Sequence, residues 1–83
     1  MEHYLILARS ITYAQRIQRT LEQNGIRCPI ARAPRNLTEW GCAYVLRLAI
    51  GDLSQALIAI HRAGLGPVQI FLYQHDRYQE VRP

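Results

Sequence analysis

Cysteine is scarce in this 83-residue sequence, which contains only two, and long apolar runs are missing. No apolar run approaches the roughly 20 residues that a membrane-spanning helix needs. Two cysteines are too few for a disulfide framework and favour free thiols in a reducing compartment. We therefore expect neither a membrane protein nor a disulfide-rich secreted protein.

The N-terminus lacks the features of an export signal. Glu2 is acidic where a signal peptide would be basic, and the apolar run that follows is confined to residues 4–8. This segment is more typical of a first strand. We expect a cytoplasmic protein.

The residue patterns on which many enzyme active sites are built are also missing. The sequence has no glycine-rich phosphate loop, no nucleophile elbow and no paired carboxylates. Its histidines, His3, His61 and His75, fall on separate elements with no acidic residue or cysteine at metal-ligand spacing. We expect neither a metal nor a cofactor, and these patterns do not support a self-sufficient enzyme.

Lysine is absent, so the net charge of +4 comes from ten arginines set against six acidic residues. These charges are spread along the chain without a long block of one sign, as on an ordinary solvated surface. Only clustering of the arginines on one face would favour a nucleic-acid partner. The charge pattern alone therefore does not predict nucleic-acid binding.

The first part of the chain predicts a strand followed by a helix. Residues 3–8 form a short apolar run, and residues 11–24 carry apolar side chains at helical spacing. Ser10 is a suitable N-cap because its hydroxyl can accept a hydrogen bond from an otherwise unpaired amide. Gly25 is a suitable residue directly after the helix.

A second strand is predicted around Cys28. This residue alternates with polar positions in step with Ile26 and Ile30, which is the period of a half-buried strand. We therefore assign Cys28 to the core rather than to a reactive site. Pro29 cannot donate a hydrogen bond and confines the strand to a sheet edge.

The second half of the chain repeats the pattern of strand and helix. Residues 43–50 are apolar apart from one arginine, as expected of a strand with neighbours on both sides. Asp52 can cap a second helix that ends at Gly64. Residues 68–73 form the last predicted strand. Residues 74–83 are polar without periodicity, which is typical of a mobile tail or of an arm that becomes ordered only on a partner.

The element order β-α-β-β-α-β fits a ferredoxin-like α+β sandwich, a four-stranded antiparallel sheet of order 4-1-3-2 with two helices on one face. Right-handed crossovers favour this order. We expect one domain over residues 1–73 and a polar C-terminal tail over residues 74–83. The expected core consists of Leu5, Leu7, Ala14, Ile17, Leu21, Leu46, Leu48, Leu57, Ile60, Val68 and Ile70.

The densest chemistry lies in residues 33–44, between the second and third predicted strands. This segment contains the only tryptophan, the pair Pro34-Arg35, and Cys42 directly after Gly41. A plain hairpin would be shorter and would carry Asn-Gly or Asp-Gly. A longer loop with a cysteine at its exit indicates a functional site, although long loops without a function also occur.

The predicted topology places this loop where strand one leads into helix one. Cys42 should then lie beside Arg9 and Ser10, at a helix N-terminus that carries about half a positive charge. This partial charge and an arginine such as Arg35 lower the pKa of a nearby thiol, which favours a thiolate or a bound anion. The alternative is that Cys42 is a small buried residue at a strand start.

A combination of short motifs resembles the putative selenium/sulfur carrier protein-like family, which consists of small bacterial domains. The similarity covers residues 4–73. Its motifs are Ser10 with Ala14 in helix one, the pair Pro34-Arg35, and the neighbouring glycine and cysteine at positions 41 and 42.

The resemblance implies that Cys42 bears sulfur or selenium, with Arg35 and Ser10 at the same site. It also implies donor and acceptor proteins that exchange this cargo. Family members usually have glycine after the cysteine, whereas this chain has Gly41 before Cys42 and Ala43 after it.

Two other functions stay open. RNA-recognition modules share this element order and stack bases on aromatic residues of their central strands, where Tyr4 and Tyr44 would lie. Their aromatic signature is missing from residues 43–48, so RNA binding is the less favoured alternative. The other is a small regulatory domain that binds a protein through its sheet.

A homodimer formed through the sheet is also expected. The face opposite the helices would otherwise expose Val45, Phe71 and Tyr73 together, and such apolar patches are seldom left in contact with water. A symmetric dimer is the commonest way to cover one.

Overall fold

The structure is a computed structural model that describes residues 1–35, 37 and 43–82. A short 3₁₀ turn, Ile50–Asp52, leads into the second helix. None of the helices in these ranges is long and apolar enough to cross a membrane. The helices and strands are β1 (His3–Ala8), α1 (Ile11–Gln23), β2 (Ile30–Arg32), β3 (Tyr44–Leu48), α2 (Leu53–Arg62), β4 (Gln69–Gln74) and β5 (Arg77–Val81).

Within the part of the chain that the structure describes, the strands form one antiparallel sheet of five strands in the order β2-β3-β1-β4-β5. The predicted four-stranded sheet of order 4-1-3-2 is therefore wrong in strand number, because β5 adds a strand beside β4. The other four strands have the neighbours that the sequence predicts, with β2 at an edge. The predicted position of this strand around Cys28 is wrong, because β2 begins at Ile30 and both Cys28 and Pro29 precede it.

The fifth strand corrects the prediction that residues 74–83 are a tail without regular structure. His75 and Asp76 turn the chain with φ of 54° and 59°, so that Gln74 pairs with Arg77. Positive φ at both central residues is the geometry of a tight hairpin turn. The Tyr73 hydroxyl donates to the Asp76 carboxylate at 2.9 Å, which supports this turn from the strand side.

The central strand β1 is covered on both faces. Ile6 lies opposite Leu46 of β3 and Ile70 of β4, and all three side chains are buried on the face that the helices cover. This larger cluster is closed by Ala14, Ile17 and Leu21 from α1 and by Ala56, Ala59 and Ile60 from α2. Both helices therefore pack on one face, as the sequence predicts.

A second, smaller cluster lies on the opposite face of the sheet. Leu5 and Leu7, expected in one core with Leu46, belong to this cluster, because successive residues of a strand point to opposite faces. Val45 and Phe71, expected to be exposed, are only 3% and 8% exposed. The remaining buried members are Leu37 and Ala43, which flank the gap in the described segment between β2 and β3.

Both helices end in the same backbone motif. At the end of α1, Gly25 has φ of 75° and the amide of Ile26 donates to the carbonyl of Leu21 at 2.9 Å. This is a Schellman motif, in which glycine takes the left-handed conformation and an apolar residue follows it into the core. The second helix ends likewise at Gly64, with Leu65 buried after it.

We expect Gly25→Ala to lower the free energy of unfolding by about 1 kcal/mol, because an L side chain is strained in the left-handed conformation. Space does not limit this substitution, since a Cβ at Gly25 would meet no atom within 4 Å. Urea denaturation measures the change. Gly51 is the matched control, because it has equal space and no positive φ. Equal effects of the two alanine substitutions would contradict this account.

Candidate functional site

The candidate site lies at the end of the sheet where β1 leads into α1. Ala8, the last residue of β1, lies opposite Tyr44, the first residue of β3. On the other side of β1, Leu7 lies opposite Gln69, where β4 begins. The Ala33 amide donates to the Ala43 carbonyl at 3.0 Å. Both described ends of the segment between β2 and β3 are therefore at this end of the sheet.

Cys42, the predicted carrier thiol, lies outside the described residues. Arg35 is described and exposed, in a turn where the Leu37 amide donates to the Pro34 carbonyl at 3.1 Å. Arg32, another arginine at this end, has its guanidinium 5.9 Å from the centre of the Tyr44 ring. The distances from the thiol to Arg35 and Ser10 stay predictions.

Ser10 is the N-cap of α1, as the sequence predicts. Its backbone is extended, with φ of −134° and ψ of 155°, and its hydroxyl oxygen accepts a hydrogen bond from the Tyr13 amide at 3.1 Å. The amides of Ile11 and Thr12 have no acceptor within the helix, since the first turn offers none. These amides and the helix dipole make this end of α1 favourable for negative charge.

A cleft of about 500 Å³ opens beside this helix end. The hydroxyl of Tyr13, which lines the cleft, donates to the carbonyl of Leu65 and so ties α1 to the segment before β4. Sequence reasoning missed this cleft, because its two walls are far apart in the chain. It is lined by Leu7, Arg9, Ser10, Tyr13, Pro67, Val68 and Gln69.

Cys28, the other cysteine, is fully buried in the cluster beneath the helices. Its thiol donates to the Gln18 carbonyl at 3.9 Å, and its own carbonyl accepts from the Gln18 side-chain amide at 3.1 Å. Burial raises the pKa of Cys28 to about 11, and the negative charge of Glu22 adds to the shift. Its predicted place in the core is confirmed, and the thiolate that reacts with electrophiles is disfavoured there.

The aromatic residues proposed for base stacking do not lie on an open sheet face. Tyr4 and Tyr44 are partly buried and pack against the cluster beneath the helices. The opposite face instead carries a row of aromatic rings at its far end. In this row His3 stacks on Tyr73 at 4.9 Å, and Tyr73 lies 5.0 Å from Tyr78. Sequence reasoning missed it because Tyr78 lies on β5.

The histidines do not come together in a metal site within the described residues, where no group of histidine, cysteine or acidic side chains could hold an ion. His3 is engaged with the Met1 carbonyl, 3.1 Å from its Nδ1. Burial against neighbouring groups lowers the pKa of His3, so the neutral imidazole is favoured near neutral pH.

The raised pKa of Cys28 predicts a loss of stability at alkaline pH. Its value in the folded chain is about 11, compared with an ordinary 9.0, so the unfolded chain releases this proton first as pH rises. The contribution to stability is complete below pH 9.0 and is lost by about pH 11. Cys28→Ala removes this ionisation.

Between pH 9.0 and about pH 11, the free energy of unfolding of wild type should therefore fall by on the order of 2 kcal/mol relative to that of Cys28→Ala. Urea denaturation at several pH values measures it. Parallel pH profiles for the two proteins would show that Cys28 does not ionise differently in the folded and unfolded chains.

Comparison with known proteins places the chain in a family. The model of a family described as "Putative Se/S carrier protein-like" matches residues 3–72, which include both helices and the first four strands except the last residues of β4. No curated protein matches the chain. Because the match covers most of the sequence, the chain belongs to the putative Se/S carrier protein-like family.

Proposed function

We propose that this protein carries sulfur or selenium on the thiol of Cys42. The observation that supports this proposal best is the state of the other thiol. The sequence has two cysteines, and Cys28 is fully buried with a raised pKa. In a family described as Se/S carrier-like, the cargo-bearing thiol of this chain is then Cys42.

The surroundings of the described neighbours support the same choice. Ala43 lies between Cys42 and Tyr44 in the sequence. Tyr44, the first residue of β3, lies opposite Ala8. Arg9 and Ser10 follow Ala8, and Ser10 is the N-cap of α1. A thiolate near this helix end would be stabilised by the unpaired amides and the dipole. Arg35 supplies a positive charge on the same segment as Cys42.

The loading step is a displacement at the outer atom of a persulfide donor. The Cys42 thiolate attacks the terminal sulfur of a donor of the type R–S–SH, so that an S–S bond forms on Cys42. The donor S–S bond breaks and the electron pair leaves with the donor as a thiolate, which needs no further oxidant. With a selenosulfide donor, R–S–SeH, the same displacement forms an S–Se bond.

Delivery reverses this displacement on an acceptor thiolate. We propose that the donor and acceptor are proteins, and that the protein acts as a carrier rather than as an enzyme on its own. A free thiol requires a reducing compartment, which supports the cytoplasm as the location.

Incubation with inorganic polysulfide tests the proposal. Mass spectrometry of the intact protein should show the addition of sulfur to wild type and to Cys28→Ala, and none to Cys42→Ser. Dithiothreitol should remove the added sulfur. Arg35→Ala should load more slowly at neutral pH, because the thiolate loses a favourable charge, whereas Arg27→Ala, an exposed arginine outside this segment, should load at the wild-type rate.

Loading of Cys42→Ser equal to that of wild type would overturn the assignment of the thiol. No loading of wild type would leave the sheet-mediated interaction domain as the better account. Its candidate surface is the aromatic row of His3, Tyr73 and Tyr78, since Val45 and Phe71 are buried within the chain.

The homodimer remains a proposal, and the aromatic row supports it as the contact. We expect sedimentation velocity to show a dimer that Tyr78→Glu converts to a monomer without a loss of folding. Ile58→Glu is the matched control, because Ile58 is exposed on α2, away from this row. A wild-type monomer at tens of micromolar, or equal behaviour of the two variants, would contradict a dimer through this surface.

A further inference from the structure

We propose that two copies of this chain associate edge to edge, by pairing their β5 strands in antiparallel orientation so that their two sheets become one continuous sheet. This inference rests on the proposed homodimer and assigns its geometry. The observation that carries it is the place of Arg77–Val81 at the end of the sheet, where β4 is its one neighbouring strand among the described residues.

The hairpin that joins β4 to β5 decides which backbone groups of β5 face outward. Gln74 and Arg77 close a turn of two residues, and the first and last residues of such a turn share a backbone hydrogen bond. Along an antiparallel ladder, hydrogen-bonded and non-hydrogen-bonded pairs then alternate. The amides and carbonyls of Tyr78 and Glu80 therefore point away from β4, where the backbone of another strand can bond to them.

The two edges of the sheet differ in how well they support such pairing. β2 has only three residues and directly follows Pro29, and short strands and prolines are features that protect an edge from pairing. β5 has five residues, none of which is proline, and all its side chains but the last are exposed. An unprotected edge is a template for another strand. β5 is therefore the edge at which a further strand fits.

The sequence of β5 is complementary to itself, which favours a second copy of the chain as the partner. A symmetry axis through Gln79, perpendicular to the sheet, pairs every residue of β5 with a residue of the second copy. Tyr78 then lies opposite Glu80 of the second copy, so the outward backbone groups bond to each other and the phenol hydroxyl can donate to the carboxylate. Arg82 lies beside Asp76 of the second copy, where opposite charges attract.

The neighbouring symmetric registers bring like charges together. An axis through Tyr78 places Glu80 beside Asp76 of the second copy, and an axis through Glu80 places the two Glu80 carboxylates opposite each other. Like charges directly opposite in a sheet are destabilising. A shift by a single residue is excluded, because it would pair side chains that point to opposite faces. The charges therefore select the register centred on Gln79.

Single cysteines along β5 test this register. Tyr78→Cys, Gln79→Cys and Glu80→Cys are each made in a chain that lacks its two natural cysteines, with Ile58→Cys as the exposed control on α2. In the proposed register the two Cα atoms at position 79 are about 4.5 Å apart, which a disulfide can span. Oxidised glutathione should therefore convert Gln79→Cys to a covalent dimer about tenfold faster than the other variants, as followed by non-reducing electrophoresis.

Arg82→Glu tests the charge pairing without a cross-link. It places an acidic side chain beside Asp76 of the second copy and should raise the dissociation constant of the dimer about tenfold in sedimentation velocity. Arg16→Glu makes the same change of charge at an exposed position of α1 and should change this constant less than about twofold, because distant exposed charges are screened. If Arg82→Glu does not fold, the cross-linking rates decide the question.

Equal cross-linking of Gln79→Cys and Ile58→Cys would overturn edge pairing, and faster cross-linking at position 78 or 80 would overturn this register. Equal dissociation constants of Arg82→Glu and Arg16→Glu would overturn the charge pairing. A wild-type dimer without a preferred cross-link on β5 would keep the homodimer and move its contact elsewhere. A wild-type monomer would overturn both and leave β5 to a strand of another protein. Because none of these experiments uses Cys42, sulfur loading is decided separately.

Discussion

The structure depends on the burial of β1 on both of its faces. Ile6 and Ala8 point toward the helices, while Leu5 and Leu7 point toward the smaller cluster on the opposite face. A domain of this size buries only about 60% of the surface of its unfolded chain. Because β1 contributes alternate side chains to both clusters, few apolar residues are needed to bury both faces of the sheet centre. The same strand pairs with β3 on one side and β4 on the other.

The position of the candidate site follows from the end of this strand. The chain leaves the sheet after Ala8, Ser10 caps the helix within two residues, and β3 and β4 begin alongside. The helix end, the cleft and the described ends of the cysteine-bearing segment are therefore brought to one place by the pairing of β1. The site requires no irregular backbone within the central strand.

The smaller cluster reduces the apolar surface that is left for binding a second copy of the chain. Leu37 packs against the face that would otherwise expose Val45 and Phe71, so the chain covers with its own segment a surface that a second copy could have covered. The same contact holds one described end of the cysteine-bearing segment against the sheet. Surface that could have served for association is thus used to position this segment.

The two cysteines show how burial alone can separate otherwise identical side chains. Cys28 is enclosed between α1 and the start of β2, where its thiol donates to the Gln18 carbonyl, and burial and the negative charge of Glu22 raise its pKa and disfavour the thiolate. Its alternation with Ile26 and Ile30 was enough to predict this environment. The placement of Cys42 depends on a loop whose path no local pattern specifies.

The sequence by itself determined the features that depend on neighbouring residues, namely the Ser10 cap, the glycines that end both helices, and the edge position of the second strand, although not its bounds. It also predicted which end of the sheet holds the candidate site, since strand order follows from crossover handedness. Tertiary structure decided the rest. A fully apolar strand does not reveal which side chains face the helices, and the turn at His75 and Asp76 lacks the glycine that would announce β5. The cover over Val45 and the walls of the cleft join residues far apart in the chain, and such contacts exist only once the sheet has formed.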